Sequence, residues 1–175
     1  MTTTAVGELA PHFALLGLDG REYSLPSSAE GEPVLIVFFR VKCVTCDVAF
    51  PYINRLREAY PDGWRLWTVS QDEPDTTAAY RDRFGITAPV LLDAPELGVS
   101  RLYDPPSTPS WFLAGPDGRV EFTFDGFDKA DINHLSERIA AYTGTARVEI
   151  AQDDDGAPAM KPGCMSRHLF PARRG

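Results

Sequence analysis

A basic surplus is what this chain most plainly lacks. Of its 175 residues, 17 are Lys or Arg and 25 are Asp or Glu, giving a formal net charge of −8. No basic stripe gathers anywhere, which argues against nucleic acid or an anionic membrane surface as a partner. No apolar run approaches the length of a membrane span. Met1-Thr2-Thr3-Thr4-Ala5 has none of the basic-then-apolar pattern of a secretory leader, so the expected location is the cytoplasm. Cysteine is scarce too: three residues cannot all pair within one chain, and small secreted domains carry a denser disulfide framework. Internal repeats are absent. The length suits one domain with a sizeable core and a modest appendage.

Two of the three cysteines are set two residues apart, in Cys43-Val44-Thr45-Cys46. Pro33-Val34-Leu35-Ile36-Val37-Phe38-Phe39, just before them, is continuous, β-branched and aromatic, the pattern of a strand buried on both faces. After them Val48, Phe50, Ile53, Leu56 and Tyr60 recur at helical spacing. The dithiol therefore sits where a strand hands over to a helix, beside free N–H groups and a positive dipole end that favour a thiolate. A C-x-x-C in that setting reads as a thiol–disulfide redox site. Cys43, the more exposed and nearer those N–H groups, is the expected nucleophile, and Cys46 the buried resolving thiol. Lys42 adds a positive charge beside Cys43, favouring the thiolate and pushing the couple toward the oxidising side.

Elsewhere the pattern alternates between strands and helices. Residues 12–18 and 21–25 flank Asp19-Gly20, a hairpin signal. A strand over 65–70, a helix from about Asp75 to Phe84 closed by Gly85, a short strand over 89–93 and a short helix from Glu96 to Tyr103 follow. Residues 110–114 and 120–124 bracket a second Asp-Gly turn at Asp117-Gly118. Ala130 to Tyr142 is an amphipathic helix with Ile132, Leu135, Ile139 and Tyr142 inward. Beyond Thr143 the periodicity decays, Asp153-Asp154-Asp155-Gly156 reads as a solvated loop, and Pro158, Pro162 and Pro171 forbid a long helix. The expectation is an α/β domain over 1–142 with a central mixed sheet and an N-terminal β-hairpin, then an irregular C-terminal tail over 143–175.

Four features resemble the thioredoxin superfamily, specifically the redoxin branch of TlpA-like oxidoreductases and AhpC/TSA proteins. They are Gly7-Glu8-Leu9-Ala10-Pro11-His12-Phe13, similar to the redoxin opening; Phe38-Phe39 before the C-x-x-C; Phe50-Pro51 after it; and Thr108-Pro109 before Trp111-Phe112-Leu113 and the Asp117-Gly118 turn. The resemblance implies a thioredoxin-like fold and a cis Pro109 beside the dithiol. It also implies that Thr108 presents its backbone to an extended partner across from Cys43. It further implies exchange with a protein or low-molecular-weight thiol or disulfide. No cofactor is called for, because the dithiol carries the two electrons.

The chain departs from the superfamily's pattern at several places. Lys42 stands where Trp usually precedes the first cysteine, and Val44-Thr45 where the loop often has Pro. Val37 replaces thioredoxin's buried acid, and Ala49 the Glu of TlpA-like proteins. A peroxidatic Pro-x-x-x-Thr-x-x-Cys frame fails on both cysteines. Counting back from Cys46 meets Cys43 and Phe39, and counting back from Cys43 meets Arg40 and Ile36. Peroxide reduction is therefore the alternative activity rather than the first. A metal- or partner-binding module on the same fold is another.

Cys164, in Lys161-Pro162-Gly163-Cys164, leaves three readings open. It is a mobile thiol that attacks the Cys43–Cys46 disulfide as an internal relay, or an exposed cysteine without function. The third reading is a metal site, in which Cys43 and Cys46 join Cys164 and His168 at zinc-compatible spacing.

Overall fold

The apolar run at 34–39 is the centre of the molecule because both of its faces are covered. The computed structural model describes residues 3–171. Strands β1 (Phe13–Leu16) and β2 (Glu22–Leu25) form the N-terminal hairpin around Asp19-Gly20. Then come β3 (Val34–Phe39), α1 (Val44–Ala59), β4 (Arg65–Ser70), α2 (Pro74–Phe84), β5 (Val90–Leu92) and α3 (Gly98–Tyr103). β6 (Ser107–Thr108), β7 (Ser110–Ala114), β8 (Val120–Asp125), β9 (Phe127–Asp128) and α4 (Lys129–Thr143) complete the expected order. Two further strands, β10 (Met160–Lys161) and β11 (Cys164–Met165), lie in the tail.

The main sheet runs β5-β4-β3-β7-β8, parallel from β5 to β3 and antiparallel from β3 to β8. This is the mixed α/β sheet expected from the sequence. Alternation along β3 assigns its faces. Leu35, Val37 and Phe39 join Phe50, Ile53 and Leu56 of α1 and Ile132, Leu135 and Ile139 of α4 in one buried cluster. Val34, Ile36 and Phe38 join Phe13, Trp67, Tyr103 and Phe112 in the other. Phe13 sits edge-on to Trp67 and Tyr103 at 6.2 and 6.1 Å, so the hairpin closes the second face with aromatic contacts.

The tail is mostly irregular backbone, but it is fixed in place. Ile150 and Ala151 are buried in the first cluster, over α1 and α4. Asn133 Oδ1 accepts from both Ile150 N and Ala151 N at 2.9 Å, and its Nδ2 donates to Ala151 O at 2.8 Å. Lys129 Nζ, almost wholly buried, donates to Asp155 Oδ1 at 2.7 Å and Gln152 O at 2.8 Å. Tyr52 Oη adds a bond to Asp155 at 2.5 Å, so this aspartate is an anchor rather than part of a solvated loop. β10 then pairs antiparallel with β9, and β11 with β6. Gly126, at φ +74°, lets the two segments approach: a Cβ there would lie 2.8 Å from Lys161 O.

Asn133→Ala leaves two N–H groups and a carbonyl without their partner, and is expected to lower unfolding free energy by about 1–3 kcal/mol. Urea denaturation of the reduced protein checks it, as a lower midpoint with the slope unchanged.

Candidate active site

Cys43 is the N-cap of α1, in extended conformation, and its Sγ accepts from Cys46 N at 3.2 Å. The sulfur thus takes the place of the side-chain oxygen that ordinarily satisfies a free N–H at a helix start. Antiparallel pairing of β3 with β7 brings Thr108 to the same end of the sheet, and the Thr108–Pro109 bond is cis. Thr108 O lies 3.3 Å from Cys43 Sγ, accepting when the thiol is protonated, and Thr108 Oγ1 lies 3.7 Å from the same sulfur.

The tail completes the enclosure. Cys164 is paired opposite Thr108, whose Oγ1 lies 3.5 Å from Cys164 O as well as 3.7 Å from Cys43 Sγ, so the Cys164 thiol is brought near enough to Cys43 to act on its acidity. Thr45, on the first turn of α1, donates to Pro162 O two residues before Cys164, so the tail crosses that turn beside Cys43. All three cysteines are unpaired thiols. Cys43 is 3 % exposed and Cys46 0 %, so the expected order of exposure holds only nominally: the tail covers the thiol that the dithiol's position alone would leave open.

The thiols differ sharply in acidity. The Cys46 thiol, donating to Cys43, is the largest influence pulling Cys43 down to about 5; Cys164, the Cys46 N–H and Thr108 add to it against the cost of burial. Burial, then the hydrogen bond and charge of Cys43, push Cys46 well above its ordinary value. Burial and the bond to Cys43 also raise Cys164. Lys42, next to Cys43 in the chain, is exposed.

Several residues that hold the tail over the dithiol carry no signal in sequence. Arg40 Nη1 donates to Met165 O at 2.6 Å, and Thr45 Oγ1 to Pro162 O at 2.6 Å. Arg167 pairs with Asp72 at 2.6 Å. Gln71, fully buried, donates through Nε2 to Ser166 Oγ at 2.8 Å and accepts Arg167 N at 2.8 Å. Ser166 Oγ lies 2.7 Å from His168 Nδ1, and His168 Nε2 2.8 Å from Asp104 Oδ1. A neutral imidazole satisfies this chain throughout, with Ser166 donating to Nδ1 and Nε2–H donating to Asp104. His168 is thereby turned to Asp104 rather than to the cysteines, which removes it from the metal reading. Among the described residues no three His, Cys, Asp or Glu side chains gather to hold a metal ion. The one available clue was position: Gln71 and Asp72 directly follow β4, at the same sheet end as the dithiol.

Residues 6–123 match the family model described as AhpC/TSA. The chain belongs to the AhpC/TSA family. With that membership it is a redoxin of the thioredoxin superfamily and an oxidoreductase in class. It is 33 % identical over 141 residues to the thiol-disulfide oxidoreductase ResA of Geobacillus thermodenitrificans (strain NG80-2), covering 79 % of this chain and 80 % of that one. A putative thiol:disulfide interchange protein DsbE from Chlorobium tepidum superposes with a TM-score of 0.73 at 28 % identity, covering 81 % of this chain and 100 % of the other. A hypothetical protein from Sinorhizobium meliloti 1021 shares the fold at 16 % identity, with a TM-score of 0.72 and 94 % of both chains covered. That last superposition therefore extends beyond α4 into the tail.

The Cys43 shift has a thermodynamic signature. The folded thiol titrates at about 5 and an ordinary one at 9.0, so between those values the unfolded chain binds the extra proton. Reduced protein is therefore expected to gain stability as pH rises through that window and to lose it as pH falls, a slope that Cys43→Ser removes. Urea midpoints across the window, with ultraviolet thiolate absorbance titrated in parallel, check both.

Proposed function

We propose that this protein exchanges thiols and disulfides with a protein or small thiol partner, using Cys43 as nucleophile and Cys46 as resolving thiol. The observation that carries the reading is the split in acidity within one dithiol on the first turn of α1. Cys43 is held toward thiolate by donors that converge on its sulfur, while Cys46 is held protonated by burial. A thiolate attacks a disulfide; the neighbour then gives up its proton and attacks Cys43 Sγ, closing the internal bond, and the partner's sulfur leaves and takes up a proton. The edge at Thr108 and Pro109 supports an extended segment in antiparallel pairing, the geometry in which β11 lies there. The names of ResA and DsbE point to the same chemistry.

Peroxide reduction has less support. Arg40, the cation nearest that role in sequence, is committed to Met165 O and Lys42 O, and its guanidinium lies 4.8 Å from the Phe170 ring centre. The cleft beside Lys42, of about 690 Å³, is lined by Arg40, Asp72, Arg101 and Arg167 and gives an approach for a polar partner.

Wild-type protein is expected to reduce insulin disulfides in the presence of a small dithiol, and Cys43→Ser to lose that activity. Equal activity in the two proteins overturns the reading. Because donors stabilise the reduced thiolate, equilibration with glutathione buffers should place the Cys43/Cys46 couple above thioredoxin's roughly −270 mV. One equivalent of hydrogen peroxide should consume thiols far more slowly than insulin disulfide does.

A further inference from the structure

Cys43 and Cys164 both lie against Thr108, and the two cysteines that form the C-x-x-C are the two that solvent scarcely reaches. Cys164 occupies the place that an extended partner's cysteine would take. It is in antiparallel register with Thr108, whose Oγ1 lies 3.5 Å from Cys164 O and 3.7 Å from Cys43 Sγ and whose backbone O lies 3.3 Å from the same sulfur. The fit of this segment is close. A Cβ on Gly163 would lie 2.3 Å from Ser107 Oγ and 2.8 Å from Thr108 O, so only glycine lets Cys164 reach its position. Bonds on both sides fix it: Thr45 to Pro162 O before Cys164, and Arg40 to Met165 O, Gln71 to Ser166 and Asp72 to Arg167 after it. Cys164 itself is half-buried, and its neighbour Met165 is 57 % exposed, as is Val44 beside Cys43 at 65 %.

We propose that Cys164 is a third reacting thiol, exchanging with Cys43 so that the buried Cys43–Cys46 disulfide is passed to the surface as a Cys43–Cys164 disulfide. The tail stays docked during this step, so the relay is a fixed thiol rather than a mobile one. The proposal rests on the thiol–disulfide reading above and adds where the outside partner reacts.

In the oxidised protein Cys164 attacks Cys43 Sγ. The S–S bond to Cys46 breaks, its electron pair goes to Cys46 Sγ, and the proton given up by Cys164 is taken there. One disulfide replaces another and no net oxidation occurs. A partner thiolate then attacks Cys164 Sγ, and Cys43 leaves as the thiolate its surroundings favour. A second thiol of the partner attacks the partner's own sulfur in the Cys164 mixed disulfide and releases Cys164. The partner dithiol becomes a disulfide, and the protein gains the two electrons. Reduction of a partner disulfide is the same sequence in reverse. Exposed Val44 and Met165 flank the two exchanging cysteines in the chain and give a protein partner apolar surface to rest on.

The test uses the full chain. Cys46→Ser, and Cys46→Ala in case the first packs poorly, leave Cys43 and Cys164 alone, and oxidised glutathione supplies the oxidant. The expected result is a monomer lacking two hydrogens, with Cys43 and Cys164 joined in the peptide map and two equivalents of reduced glutathione released. A stable glutathione adduct on either cysteine, with no internal bond, overturns the proposal. In the second arm, oxidised wild type and Cys164→Ser, whose side chain keeps the shape of cysteine, are mixed with reduced glutathione. Loss of Cys164 is expected to slow opening of the disulfide by about tenfold or more, since Cys43 is then reachable only when the tail lifts. An unchanged rate overturns the relay while leaving the dithiol reading intact. Failure of wild type to form any Cys43–Cys46 disulfide is the distinct result that overturns the reading beneath it.

Discussion

Cys43 Sγ has to lie within hydrogen-bonding reach of the Thr108 backbone, and the two residues are 65 positions apart. That approach is set by strand register. β3 pairs with β7 from Val34 opposite Ala114 to Phe38 opposite Ser110, so the ends carrying Cys43 and Thr108 emerge side by side, one strand spacing apart. Register here has little freedom. β3 is buried on both faces, and a slip of one residue would exchange Leu35, Val37 and Phe39 with Val34, Ile36 and Phe38 between two differently shaped clusters. The packing of the sheet and the chemistry of the dithiol are therefore one constraint: what fixes the core fixes the distance at which Thr108 faces the thiol.

Burial and hydrogen bonding act in opposite directions at this site, and the outcome differs from one sulfur to the next. Removing a thiol from water disfavours its charged form. At Cys46 nothing outweighs that, and the thiol stays protonated. At Cys43 the Cys46 thiol, the Cys164 thiol, the Cys46 N–H and Thr108 converge, and together they exceed the cost of desolvation. The usual tuning groups of the superfamily, an aromatic residue ahead of the first cysteine and a nearby acid, are replaced here by Lys42, Val37 and Ala49. Their place in setting Cys43 is taken by donors from three separate segments: α1, the Thr108 edge and the tail. Asp47, whose carboxylate is the next charge along α1, accepts from the buried Tyr80 hydroxyl at 2.9 Å and so belongs to the α1–α2 packing.

Sequence reading reached what repeats or alternates. β3 was legible as a continuous apolar run, α4 from Ile132, Leu135 and Ile139 at helical spacing, and both hairpins from Asp-Gly turns. Thr108-Pro109 was legible only through family resemblance, since nothing local says that a Thr-Pro beside a strand lies against a cysteine 65 residues earlier. The course of the tail was not legible at all. Its contacts are single polar side chains meeting backbone: Asn133 with Ile150 and Ala151, Lys129 with Gln152, Gln71 with Arg167. Such contacts leave no period in the chain. Asp153-Asp154-Asp155 reads as a solvated run, yet Asp155 receives Lys129 and Tyr52 and is held well below the usual carboxylate range, first by the Lys129 bond. His168, four residues after Cys164, has the spacing of a metal ligand, but its partners Ser166 and Asp104 claim both ring nitrogens.

The tail's two halves are attached by different forces, and this decides how the site behaves. Its first half buries Ile150 and Ala151 in the core and is tied to the stability of the whole domain. Its second half, from Met160 onward, contributes little apolar burial: Met160, Met165, Leu169 and Phe170 are all exposed. Polar contacts hold it there, each worth on the order of 1 kcal/mol net, and the half-exposed Arg167–Asp72 pair is at the low end of that scale. A segment attached in this way opens at lower free energy than the core does. The many directional bonds and the close fit at Gly163 nevertheless leave it one docked position. Apolar burial would give adhesion without register, whereas these contacts give register with modest adhesion. That combination suits a thiol that must meet Cys43 at a defined point and still be reached from outside.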